Sequence, residues 1–232
     1  MGEALLQARL TPETWRCEIT ADAFIEDPHT KVPATLQKPL TLKQAHDAYT
    51  AAWADTSEGT VTWEPGEEDD DKTTGWRLVD TYLRESHVPA ELKPDAVEVP
   101  VEADLHDHGL PKLIGVLDLV QRGEIIDYKT ASTTPNADKV IHTNEIQTSA
   151  YAILYRHNTG QQESGMQLHH LVKLKNPKVV ITTMPPMSQQ QESRLYRQME
   201  SYISGLQHGQ FVPSPGMHCA SCEFFNECRK WH

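Results

Sequence analysis

The sequence has no stretch approaching the roughly eighteen consecutive apolar residues needed to cross a bilayer, which argues against a membrane-spanning helix. Its N-terminus carries no basic segment followed by an apolar run, so no secretory signal is expected and a cytoplasmic setting is the default. No G-x-x-x-x-G-K-[ST] phosphate loop occurs, so any strand unwinding would need a partner. Basic residues are few: 21 Lys and Arg against 33 Asp and Glu give a formal charge of −12, a balance that disfavours non-specific adhesion to nucleic acid. Cysteine is scarce, with four residues: Cys17, Cys219, Cys222 and Cys228. Three of them fall within ten residues, which in a chain without a secretory signal suggests metal binding more than a disulfide framework.

The 232 residues fit one large domain with a core of its own. Residues 1–54 read as a helical part that includes Cys17. Within it, Leu42, Ala45, Tyr49 and Trp53 recur at helical spacing over Thr41 to Trp53. The acidic, turn-rich stretch from Asp55 to Thr74, with Glu67, Glu68, Asp69, Asp70 and Asp71 in one run, reads as a mobile loop, and a helix is expected over Trp76 to Ser86. A catalytic-type core is expected over residues 96–185. Ala96 to Leu105 alternates apolar and acidic residues as a half-buried strand does. Leu113 to Val120 and Glu124 to Thr130 read as two more strands joined at Gly123. A helix over Asn144 to His157, with Asn144 as its N-cap, precedes strands near Gln167 to Leu174 and Val179 to Met184. A further helix runs from Ser188 to about Leu206. Residues 209–232 form a cysteine-rich segment. The expected class is α/β, a central mixed sheet flanked by helices with a C-terminal cysteine-rich cap.

The run Gly115-Val-Leu-Asp118-Leu-Val-Gln-Arg-Gly-Glu-Ile-Ile-Asp127-Tyr-Lys129-Thr130 carries the chemistry. A symmetric turn over Gln121 to Glu124 sets Asp118 directly opposite Asp127, on one face of the sheet and with Cβ atoms roughly 5 Å apart. Lys129, two residues on, points the same way. Like charges opposed on a sheet are destabilising, so a shared proton, a cation or the lysine must offset them. Mg²⁺ takes oxygen ligands, often one or two carboxylates, and leaves room for water and phosphate. Lys129 then has the place to orient an attacking water or stabilise developing charge. The plain alternative is a solvated hairpin with an exposed Asp127–Lys129 pair; the Val, Leu, Ile and Tyr flanks argue for a central hairpin instead. Glu98 and Glu102 on the preceding strand are placed to approach the site or to face solvent.

Three pieces in order, Gly115-x-x-Asp118, Asp127-Tyr-Lys129-Thr130 and Gln147-x-x-x-Tyr151, resemble the RecB-like branch of the PD-(D/E)XK nucleases, which includes the CRISPR-associated adaptation exonucleases and AddB-type nuclease domains. On a helix Gln147 and Tyr151 share a face. The resemblance implies a restriction-endonuclease-like core and hydrolysis of DNA, on single strands or ends. It implies Mg²⁺ or Mn²⁺ on Asp118 and Asp127 with the Tyr128 carbonyl, Lys129 at the water, and Gln147 and Tyr151 on the substrate. It also implies a histidine ligand from an early helix, for which His46 is the match, although Leu42 stands where the family has glycine. Iron–sulfur members carry one early and three late cysteines, so Cys17, Cys219, Cys222 and Cys228 correspond to ligands of a 4Fe-4S cluster. Structural Zn²⁺ is the alternative, with His218 or His232 in place of Cys17. The partners implied are DNA and recombination, replication or CRISPR adaptation proteins, with no membrane. Two rival readings stay open: a non-catalytic DNA-binding or assembly subunit of the same fold, and a zinc-ribbon interaction protein.

Overall fold

The computed structural model describes residues 41–56, 65–85, 94–210, 219, 222 and 224–230. Cys17, His218 and His232 lie outside the described residues. Helices α1 (Leu42–Thr56) and α2 (Glu67–Glu85) lead into strand β1 (Ala96–Ala103). Then come β2 (Leu113–Gln121), β3 (Glu124–Ala131), α3 (Ala137–Thr143), α4 (Glu145–Thr159), β4 (Gly165–Val172), β5 (Lys178–Met184), α5 (Gln189–Gln207) and the short α6 (Phe225–Cys228). The strands form one sheet in the order β1-β2-β3-β4-β5. Only β3 and β4 run parallel, because α3 and α4 make the crossover between them, as a parallel pair requires. The fold is thus α/β with a mixed five-stranded sheet, as expected. No helix among the described residues is long and apolar enough to cross a membrane.

Two elements differ from expectation for electrostatic and capping reasons. The acidic run is not a loop but the start of α2, where Glu67, Glu68, Asp69 and Asp70 occupy the first turn. Carboxylates there meet the positive end of the helix dipole and its unpaired N–H groups. Asn144 does not cap α4 with its side chain. A short helix, α3, ends at this residue, and Asn144 Nδ2 turns back to the Val140 carbonyl at 2.8 Å. The side-chain cap belongs instead to Asn136, which accepts from the Lys139 N–H at 3.2 Å.

The core lies between the sheet and α3, α4 and α5. Leu117, Val120, Ile125, Met166 and Leu168 of the strands pack against Val140 and Tyr155, and a second cluster joins Ala103 and Leu105 to Ile153, Leu154 and Leu195. One buried ionic joint ties this layer together. Glu163 is 1% exposed and receives Arg156 Nε at 2.7 Å, Arg156 Nη2 at 2.8 Å and the Met187 N–H at 2.6 Å. Arg156 Nη2 also donates to the Met187 carbonyl at 2.8 Å. The end of α4, the loop before β4 and the approach to α5 are thereby fixed to one another. Glu163→Ala is expected to destabilise the protein by about 2 kcal/mol, since it leaves the half-buried Arg156 guanidinium and the Met187 N–H without their acceptor; the urea unfolding midpoint at constant m-value measures it.

Candidate active site

The β2–β3 hairpin turns on Arg122 (φ 54°) and Gly123 (φ 73°), the two consecutive left-handed residues of a two-residue hairpin loop. Gln121 pairs with Glu124, Val120 with Ile125 and Leu119 with Ile126, the register expected from the sequence. The backbone ladder stops there, one step before Asp118 and Asp127. At that step the Tyr128 N–H donates to Asp118 Oδ2 at 2.9 Å, so a carboxylate takes a strand amide. The β1–β2 ladder is also interrupted on this row, between its Val97–Leu119 and Val99–Leu117 pairs. The residue there, Glu98, has φ 45°, and Glu102 at the strand's outer end holds Lys112 Nζ at 2.8 Å, exposed to solvent.

Asp127 is 2% exposed. Lys129 Nζ lies 3.2 Å from its Oδ1 in hydrogen-bond geometry and 2.9 Å from Oδ2, off the direction of a bond, so that buried Oδ2 accepts no directed hydrogen bond. Asp118 is pushed up to about 7, first by burial and then by the negative charge of Asp127, against the opposing pull of the Tyr128 N–H and of Lys129. Asp127 is raised too, by burial, although Lys129, His170 and the Tyr151 hydroxyl favour its charge. The two acids act as one coupled pair that holds a proton where free carboxyls would have none.

α4 brings in the next two predicted residues. Gln147 Nε2 donates to the Tyr151 hydroxyl at 2.9 Å, and Tyr151 faces both aspartates, its own hydroxyl raised by burial and by their charges. The helix can lie this close because β2 offers Gly115 beneath it. A Cβ there would stand 2.8 Å from Leu154 Cδ1 and 3.9 Å from the Tyr151 ring. The glycine of Gly115-x-x-Asp118 is therefore a packing requirement of the site.

On the opposite face a chain of polar groups backs β3. Tyr82 Oη of α2 lies 3.2 Å from Tyr128 Oη and 2.8 Å from His169 Nδ1. His169 Nε2 is 2.6 Å from Gln167 Oε1, and Gln167 Nε2 donates to Glu124 at 2.9 Å. His46 is not gathered with the aspartates: its ring meets Trp76 edge-on at 4.5 Å between centroids, and among the described residues no three His, Cys, Asp or Glu side chains converge as a ligand set. The reason is local, since α1 is bound to α2 through Tyr49 Oη on the Lys72 carbonyl at 2.7 Å and by Tyr49–Trp76 packing. Cys219 and Cys222 are half-buried and joined by a Cys222 N–H to Cys219 carbonyl bond of 3.4 Å, with Cys228 exposed on α6; these thiols do not converge either. Sequence reading missed His170, buried beside Lys129 on β4. Its signal was a tandem His169-His170 inside a strand whose other residues, Gln167 apart, are apolar or glycine.

The donor set of the pair, carboxylate oxygens with one buried oxygen accepting no directed bond, fits a hard divalent ion such as Mg²⁺ or Mn²⁺. Residues 21–229 match the family model of the PD-(D/E)XK nuclease superfamily. A crystal structure from Eubacterium rectale described as a "Putative exonuclease" is similar with a TM-score of 0.55 and 16% sequence identity, covering 78% of this chain and 69% of that one; at such identity the likeness bears on the fold. No curated protein sequence matches.

The raised Asp118 has a thermodynamic signature. Its ordinary value is 3.8 and its folded value about 7, so between these pH values the folded state holds a proton that the unfolded chain releases. Its contribution to stability is therefore lost as pH rises through that window. In chelator, Asp118→Asn is expected to melt several degrees above the wild type at pH 8, with the gap closing toward pH 5. A gap that is constant with pH contradicts the assignment.

Proposed function

The chain belongs to the PD-(D/E)XK nuclease superfamily, and from that premise we propose that it hydrolyses DNA phosphodiester bonds as a Mg²⁺- or Mn²⁺-dependent exonuclease acting on single strands or ends. The observation that carries the proposal is the pair of the buried Asp127 and the half-buried Asp118, both raised in pKa, with Lys129 on Asp127. Such a pair costs stability unless a cation relieves it, and a structure that retains the cost has a use for it. The similarity to a protein named an exonuclease and the order Asp118, Asp127-Tyr-Lys129, Gln147-x-x-x-Tyr151 support the end-directed reading.

In this proposal Asp118 and Asp127 hold the divalent ion, with the Tyr128 carbonyl as a further oxygen. Such an ion, when bound, lowers the pKa of water and offsets phosphate charge. The chain's own groups do the rest. The Tyr128 N–H fixes the rotamer of Asp118. Lys129 supplies a cation at the reacting phosphate or its water. Tyr151, oriented by Gln147, aligns Asp127 and the substrate. His46 joins as a ligand only if α1 shifts from its place against Trp76.

A second element of the proposal is a 4Fe-4S cluster, or structural Zn²⁺, on Cys17, Cys219, Cys222 and Cys228. It is supported by the Cys219-x-x-Cys222-x-x-x-x-x-Cys228 spacing and by thiolate preference for these metals. Its role is structural, since hydrolysis needs no electron transfer. The pathways proposed are DNA processing in recombination, replication or CRISPR adaptation, with proteins of those systems as partners.

Labelled single-stranded DNA incubated with Mn²⁺ tests the first element. The wild type is expected to degrade it, and Asp118→Ala and Lys129→Ala to lose at least about a hundredfold in rate. Equal cleavage by all three proteins ends the catalytic assignment, and no cleavage by any leaves a DNA-binding subunit of the same fold. Anaerobic purification tests the second: a brown protein with about four irons is expected, and a colourless protein with stoichiometric zinc selects the alternative.

A further inference from the structure

Two histidines stand side by side on β4, and they differ in what they touch. His169 lies in the polar chain behind β3, with a partner at each ring nitrogen. His170 faces the other way. It pairs in register with Lys129 of β3, so the two side chains leave the same face of the sheet, the face of Asp127. His170 is 6% exposed, and its Nδ1 is buried with no hydrogen-bond partner. Lys129 and Asp127 both act electrostatically on its ring. An unpaired buried polar atom at a reaction centre calls for an account.

The account begins with Lys129. Its ammonium sits within 3.2 Å of both oxygens of Asp127, the same oxygens that a divalent ion needs. Occupation of Asp127 by the ion must therefore displace at least one of the ammonium's contacts. A lysine released in this way has three donors and a flexible four-carbon stem, and without another acceptor it loses its aim. We infer that His170 is a positioning residue whose Nδ1 receives the Lys129 ammonium when a divalent ion takes Asp127, keeping the lysine pointed at the reacting phosphate. Burial first, and then the neighbouring Lys129 charge, hold the His170 ring below its ordinary pKa, against the Leu168 carbonyl and Asp127. A neutral ring protonated on Nε2 has its lone pair on Nδ1. The inference rests on the proposed metal-dependent reaction and adds to it a two-position lysine: on Asp127 before loading, on His170 after.

The test compares full-length wild type, His170→Phe and His170→Gln. Two readouts are taken without substrate: Mn²⁺ affinity by calorimetry, and acylation of Lys129 followed by mass spectrometry with and without Mn²⁺. His170→Phe removes the acceptor and is expected to bind Mn²⁺ about tenfold more weakly, the scale of one hydrogen bond to a charged group. Its Lys129 should become more reactive when Mn²⁺ is added. With single-stranded DNA its kcat should fall while KM holds. His170→Gln, which keeps an acceptor oxygen, should restore Mn²⁺ affinity and lysine protection toward the wild type. Wild-type affinity and unchanged labelling in His170→Phe overturn the inference. So does an equal loss in both variants, which makes His170 a packing residue only. Mn²⁺ binding that is equally weak in the wild type and Asp118→Ala removes the metal-dependent reading itself, an outcome distinct from either of these.

Discussion

Two carboxylates set against each other repel, and here the sheet takes Asp127 out of water and Asp118 partly so. Much around them answers that one constraint. The ladder between β2 and β3 stops one pair short of the acids, and the amide left at Tyr128 is given to Asp118. Lys129 rests against Asp127. What charge relief the chain supplies is incomplete, because both acids stay raised. A chain selected for stability alone would replace such a pair with apolar residues at little cost. Under the proposed function, retaining it trades stability for a place where a cation would bind, since a lower local dielectric makes each charge count for more.

The precision of that place comes from behind it. Tyr82, Tyr128, His169, Gln167 and Glu124 form a hydrogen-bonded chain behind β3. Gln167 donates to Glu124, so its oxygen faces His169 Nε2, which must carry the proton. The Tyr82 hydroxyl lies against His169 Nδ1 and donates to the Tyr128 hydroxyl. A part-buried hydrogen-bonded network of this kind, centred on the buried His169, restrains its members. It holds the strand that carries Asp127, Tyr128 and Lys129 from the back, while Gly115 lets α4 press Tyr151 against the front.

The sequence made the hairpin legible because its register follows from turn arithmetic: equal sums of residue numbers pair Val120 with Ile125 and Gln121 with Glu124. Gln147 and Tyr151 were legible for a similar reason, since spacing on a helix fixes a shared face. The start of α2 was not, because charge density resembles loop composition unless the helix dipole is taken into account. His170 was hidden for a different reason. Its meeting with Lys129 depends on the parallel β3–β4 register, and a crossover through two helices leaves no arithmetic by which to find it. His46 shows the converse case: its position in the sequence fits a ligand, while its packing against Trp76 is a tertiary fact that no local pattern contains.

The formal charge of −12 looks at first like an objection to DNA as a substrate, and distance removes much of its force. Five acids cluster at Glu67 to Asp71, in the first turns of α2. The residue of that helix that touches the site's backing is Tyr82, eleven to fifteen positions from those acids. At 1.5 Å per residue that separation is roughly 16 to 22 Å along the axis. Exposed charges at such a distance are screened over about 8 Å at physiological salt, so they contribute little at the aspartates. At the pair itself Asp118, Asp127 and Lys129 sum to −1 when both acids are charged, and to zero while the pair keeps the proton that its raised pKa values favour. Under the proposed function a divalent ion on the two charged acids would bring the sum to +1, and the site would attract a phosphate once loaded. An acidic chain with this arrangement is poorly suited to hold DNA nonspecifically, yet well suited to meet a phosphodiester at one ion.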